Sequence, residues 1–232
     1  MTQLVLAALS FGGLHLLVSG TALRGVLVGR LGEGPYRGLF SLLSFVTLFW
    51  LGRSYSVAFA SDNRWLWHGP AAQHLAGPVV LIAFLFAVPG VMGRSPTGVG
   101  QEGLLARDPE PRGMQRITRH PFLWGVALWA AFHIGANGDI ASIVLFATFL
   151  VVALAGTRSI DHKRAKKLGE VWTRYTERTS SVPFLAMAQG RTKLSLREIG
   201  WVRPAVALLV FGAIVALHPM LFHAYPLPGM AD

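Results

Sequence analysis

The sequence predicts an all-α integral membrane protein, a bundle of about six transmembrane helices with a cytoplasmic amphipathic helical segment. Three observations predict it. Hydrophobic residues make up 53% of the 232-residue chain, and the mean hydropathy is +0.49. The apolar residues fall in long blocks rather than short periodic runs. Lys and Arg gather between those blocks, where a membrane protein keeps its charge.

Six spans are expected near residues 3–23, 38–60, 73–93, 121–138, 139–157 and 204–223, each long enough for roughly 30 Å of hydrocarbon. The first lacks a basic leading region, so it does not read as a cleaved signal peptide. The second carries Arg53, which must snorkel, pair or face the protein interior. Pro78 and Pro89 bend the third. The turn "ANGD" joins the fourth and fifth into a helical hairpin. "RSIDHKRAKKLGEVWTRYTERTSSVPF" reads as a basic helix continuing the fifth span. Val171, Trp172 and Tyr175 mark its apolar side, which is expected to lie on lipid headgroups. "GRSPTGVGQEGLLARDPEPRG" reads as an ordered loop or a flexible cover. One domain covers residues 1–232.

The formal net charge of +10 is placed where anionic lipid headgroups, not nucleic acid, are the simpler partner. Basic residues cluster at 24–37, 94–119 and 158–203, and the opposite loops hold only Arg64. The positive-inside rule makes the basic loops cytoplasmic and puts both termini outside, in a bacterial inner membrane. No residue is cysteine, which excludes disulfides, thiolate haem ligation, iron–sulfur clusters and a cysteine nucleophile.

Two histidines stand inside apolar blocks, His15 in the first span and His133 in the fourth. An ionisable residue at membrane depth is a functional candidate by default. Two imidazoles on separate helices could converge on one metal, and haem iron with two axial histidines is the favoured arrangement. Gly12 leaves an open strip of helix beside His15. The plainer alternative makes His15 a packing residue bonded to a neighbouring carbonyl, and His133 a polar anchor near its helix end. By axial rise, His133 lies roughly 21 Å from Arg119 and His15 ~13 Å from Arg24. That mismatch asks for tilted helices or an interior Arg24 that reaches a haem propionate. His218, at a depth similar to His133, is the substitute ligand. "RITRHPFLWG" places Arg116, Arg119 and His120 at a helix start. Its guanidinium groups suit a propionate or other carboxylate, or else anchor a phospholipid.

"RITRHPFLWGVALWAAFHIGANGD", "LGEVWTRYTERTSSVPF", "HLLVSGTALR" and "LHPMLF" together resemble the NnrU family. That family includes the 15-cis-zeta-carotene isomerases of plants and cyanobacteria. The resemblance implies a multi-span membrane protein that binds haem b, with His15 and His133 as ligands. A further histidine near the end of the isomerases' second span is linked to ligand exchange. Here that stretch reads "AFASDNRW" without histidine, and His68 and His74 are the substitutes nearby. The family is associated with denitrification, through active nitrite and nitric oxide reductases. "RHP" followed by "LGEVWTRY…VPF" also resembles the C-terminal half of isoprenylcysteine and phospholipid methyltransferases, which hold S-adenosylmethionine there. Asp161 and His162 stand where those enzymes carry paired glutamates, so methyl transfer is the least favoured reading. The first reading is thus a haem b protein of nitrogen-oxide metabolism, with nitric oxide as a ligand. The alternative is a haem-dependent cis–trans isomerase of 15-cis-zeta-carotene, a hydrophobic polyene.

Overall fold

The computed structural model describes residues 1–61, 63–67, 72–98, 101, 103–107, 110–228 and 230. Apolar residues fill helices along most of the chain, because a backbone without water must satisfy its own hydrogen bonds. Helix α1 (Thr2–Gly13) runs into a π turn (Leu14–Val18), and α2 (Leu23–Leu31) follows at an angle of 79°. Helix α3 (Glu33–Ala60) begins after Gly32, whose φ of +84° few side chains tolerate, and has Pro35 in its first turn. Helix α4 (Ala72–Met92) contains both Pro78 and Pro89. A short α5 (Leu104–Arg107) and a 3-10 turn (Gly113–Arg116) lead to α6 (Pro121–Asn137) and α7 (Ile140–Leu168). Four helices close the chain: α8 (Glu170–Glu177), α9 (Leu185–Ala188), α10 (Leu196–Ile199) and α11 (Val202–Phe222). The described residues form no strand, only an isolated bridge between Trp65 and Asp139.

Among the described residues four helices are long and apolar enough to cross a membrane, α3, α4, α7 and α11, and the bent first pair makes a fifth if it counts as one span. The expectation of six is not met by length alone. The first apolar run breaks after the π turn, and the 17 residues of α6 rise only about 26 Å. Phe45, Phe49, Leu209 and Met220 are more than seven-tenths exposed on α3 and α11. Such faces are what a helix presents to hydrocarbon.

The chain divides into two compact units. The first comprises residues 1–72 and 130–159. Its core packs Leu4, Ala7, Phe11, Leu51, Ala58 and Ala141, with Trp50, Tyr55 and Phe149 against them. The α6–α7 hairpin forms as its turn sequence predicts. Gly138 takes a φ of +74°, and a Cβ there would collide with the Trp67 carbonyl. Asp139 Oδ1 then accepts from the Ser142 N–H and from Asn63 Nδ2, both at 2.8 Å, which caps α7 and ties the turn to the end of α3.

The second unit comprises residues 73–129 and 160–232. Within it α4 and α6 touch at Gly125, where a Cβ would lie 2.6 Å from the Ala83 carbonyl oxygen. Small residues permit that approach. The basic continuation of α7 is helical to Leu168, as expected, and stops at Gly169, whose φ is +53°. One expectation is corrected here. Trp172 and Tyr175 do not lie on headgroups; they are buried, packed with Leu105, Leu168 and Val171. The Tyr175 hydroxyl also needs a protein partner and donates to Gln115 Oε1 at 3.0 Å. The Gly/Pro-rich loop is ordered over Ser95–Gly98, where Arg164 donates to the carbonyls of Pro96 and Gly98 at 2.9 and 3.0 Å.

Candidate functional site

Both candidate ligating histidines belong to the first unit. His15 sits in the π turn, whose wide winding is closed by the Ser19 N–H bonding to Leu14 O at 3.1 Å. Single π turns of this kind recur at functional sites. His15 Nδ1 donates to the Phe11 carbonyl at 2.9 Å. That bond is the one the packing reading expects. With Nδ1 as the donor, Nε2 is the ring nitrogen left to face a metal. The ring packs against Phe11 and Phe40, with centroids 4.3 and 5.3 Å away. A Cβ added at Gly12 or Gly13 would meet nothing within 4 Å, so the helix beside His15 is open.

His133 lies half-buried on α6, its ring 4.7 Å from that of Phe146 on α7. Phe149, one turn along α7, contacts Phe11 at 5.6 Å. Phe11 in turn touches His15. His133 thus meets α7 directly at Phe146, and His15 is linked to it through Phe11. An apolar crevice beside His15 is lined by Leu14, Val18, Leu27, Tyr36 and Phe40. The buried Tyr36 hydroxyl there has no hydrogen-bond partner. Two imidazoles, an open strip of helix and an apolar surround are residue types that suit haem iron.

Each arginine assigned to a ligand carboxylate already holds a protein one. Arg24 Nη2 donates to Glu33 Oε1 at 2.6 Å and stacks over Tyr36 at 5.4 Å. Arg116 forks onto Glu198, with Nε and Nη2 each at 2.8 Å. Arg119 Nε reaches both oxygens of Asp161 at 2.9 and 3.0 Å, and its Nη2 lies 2.5 Å from Oδ2. His120 is 2% exposed and its Nε2 donates to Asp161 Oδ1 at 2.7 Å. Burial holds the His120 imidazole below its ordinary value, and Arg119 pushes the same way against the pull of Asp161. Arg119, His120 and Asp161 form a polar cluster of the second unit, with Trp172 under the Arg119 guanidinium at 6.0 Å, while Arg116 is held separately by Glu198.

Among the substitute ligands, His218 Nδ1 donates to the Ala224 carbonyl at 2.8 Å at the end of α11. His74 is exposed near the start of α4, and His162 is exposed on α7. His68 lies outside the described residues. Sequence reasoning missed Glu33, Glu198 and Tyr36, and it did not pair Asp161 with Arg119 and His120. The one available signal was scarcity: only 11 acidic residues face 21 Lys and Arg, so each carboxylate has several cations to choose from.

Comparison with known proteins adds the family. Two curated relatives match. The 15-cis-zeta-carotene isomerase of the Zea mays chloroplast is 30% identical over 123 residues, covering 50% of this chain and 33% of that enzyme. The same enzyme of Arabidopsis thaliana is 33% identical over 82 residues, covering 35% of this chain and 22% of its own. Each match thus spans a third or less of the relative's length. No solved structure matches the chain. The family model described as NnrU protein matches residues 3–226, and on that near-complete match the chain belongs to the NnrU family.

Proposed function

We propose that this protein is a membrane-embedded cis–trans isomerase of a carotene-like polyene, holding haem b between His15 and His133. The observation that carries the reading is the His15 imidazole, its Nδ1 proton held by Phe11 and its Nε2 lone pair left for a metal, within an apolar unit. Both relatives named above bear the isomerase name, which favours isomerisation over nitrogen-oxide chemistry. When bound, the haem supplies an iron centre able to lend electron density to a conjugated double bond. The chain's own part is to bind and to exclude water. Phe11, Phe40 and Leu14 wall the neighbourhood of His15, and an apolar wall positions a polyene without competing hydrogen bonds. The long apolar helices support a membrane location, and we take that membrane as a bacterial inner one with the basic segments cytoplasmic.

The test takes the full chain, solubilised in detergent. Oxidised and reduced spectra are expected to show haem Soret and alpha bands. His133→Ala is expected to abolish or shift them, and His15→Ala to do the same. Co-expression in a host that accumulates 15-cis-zeta-carotene should convert the pigment to the trans isomer at that bond. A folded, colourless protein sinks the haem assignment. Unchanged pigment beside intact haem bands sinks isomerisation and returns the nitrogen-oxide reading.

A further inference from the structure

The second unit holds a further group of arginines. A cavity of about 290 Å³ opens where the end of α4, the 3-10 turn and the start of α11 meet, and Arg94, Arg112 and Arg203 line it. Pro89, Gly90 and Pro121 give it an apolar part of the wall. Gly90 is required by packing, since a Cβ there would lie 2.6 Å from the Phe122 nitrogen.

The charge balance decides what the cavity can hold. Among the described lining residues the one carboxylate is Glu198. Arg116 forks onto Glu198 from outside the lining, and the Gly113 N–H donates to Glu198 Oε2 at 2.8 Å. Arg116 holds the Glu198 carboxyl below its usual range. Its charge is therefore compensated by Arg116; Arg112 has an interaction of its own, so the surplus is counted on Arg94 and Arg203 alone. Arg203 Nη1 leans on the Ile199 carbonyl at 3.3 Å, and Gln115 Nε2 donates to the Arg94 carbonyl at 2.7 Å, which fixes the frame around both. A concave surface with a surplus of guanidinium charge focuses anions, and the planar fork of arginine matches phosphate oxygens.

Position points to where that phosphate comes from. The apolar stretch of α4 ends at Met92, two residues before Arg94, and that of α11 starts at Val202, beside Arg203. Trp201 is 79% exposed and Leu196 is 72% exposed next to the cavity's Glu198 and Arg203. Arginine with exposed tryptophan at the ends of apolar helices marks headgroup depth.

We infer that this cavity is a phosphate-binding site that takes a phosphate ester, with an anionic phospholipid headgroup and free phosphate as the two sources of one chemistry. The lipid source rests on the membrane reading above; phosphate binding in detergent does not. The experiment uses the full chain in an uncharged detergent. Native mass spectrometry with phosphatidylglycerol or phosphatidylcholine is paired with titration of inorganic phosphate. The expected result is selective retention of phosphatidylglycerol, its displacement by phosphate, and binding weakened by about tenfold or more in Arg94→Gln/Arg203→Gln. Arg197→Gln, exposed and outside the lining, is expected to bind as wild type. Phosphate binding that the double variant weakens, without preference for phosphatidylglycerol, upholds the site and assigns it to free phosphate. Equal retention of both lipids with no phosphate binding overturns the proposal. So does a folded double variant that binds phosphate as tightly as wild type. Should that variant fail to fold, the wild-type selectivity and displacement measurements decide alone.

Discussion

Thr118, Arg119 and His120 occupy the turn before α6, and all three are tied to residues far along the chain. The Thr118 hydroxyl donates to the Ser181 carbonyl at 2.7 Å, and Arg119 and His120 share Asp161. The consequence for pH follows from His120. Burial lowers its folded-state value below the unfolded ~6.5, so the unfolded chain takes up the proton more readily. Stability is then complete above ~6.5 and is lost as pH falls from there through the lower folded value. The unfolding temperature of the solubilised protein should drop on acidification through that window. In His120→Gln the drop should be smaller; an equal drop would mean another group carries it. The pairing itself was not legible in the sequence. Arg119 and Asp161 are 42 residues apart and Arg116 and Glu198 are 82 apart, and no local period relates positions at such separations.

Single elements divide sharply into those the residues declare and those they hide. The α6–α7 hairpin is declared: Asn137, Gly138 and Asp139 supply the turn, and Gly138 adopts the positive φ that its lack of a side chain allows. The break after α1 is hidden, since Ser19, Gly20 and Thr21 read equally well as a small-residue packing face within a span. The Thr21 hydroxyl uses both its roles there, donating to the Leu17 carbonyl at 2.6 Å and accepting from the Leu23 N–H at 3.2 Å. Helix α8 is a case where the apolar side was legible and its partner was not. An apolar stripe on a basic helix fits headgroups or a protein neighbour equally, and Leu105 and Leu168 are the neighbours. Trp172→Ala should accordingly destabilise the folded protein by about 3–5 kcal/mol, read as a lower denaturation midpoint. A helix lying on lipid would show little change in that midpoint.

At the scale of the whole molecule, the blocks of hydropathy declared the helical architecture, while the number of crossings depends on geometry that composition does not hold. A 17-residue α6 and a first segment bent by 79° look like ordinary spans when only apolar residues are counted. The charge distribution makes the sharper statement. The chain has no cysteine, so one introduced thiol reports its own side of a membrane without background. Lys193→Cys should resist a membrane-impermeant maleimide in intact cells and react after lysis. Ser61→Cys should react in intact cells. The reverse pattern would invert the orientation.

The π turn also sets how the chain tolerates change. It takes up one more residue per turn than the winding on either side of it. Losing one residue between Leu16 and Val18 would leave an ordinary turn of nearly the same total rotation, so the angular phase of everything upstream is kept. Leu4, Ala7 and Phe11 would stay turned into the first unit's core. A one-codon deletion there should therefore do less harm than the same deletion within Thr2–Gly13, where regular winding has no spare residue to give up.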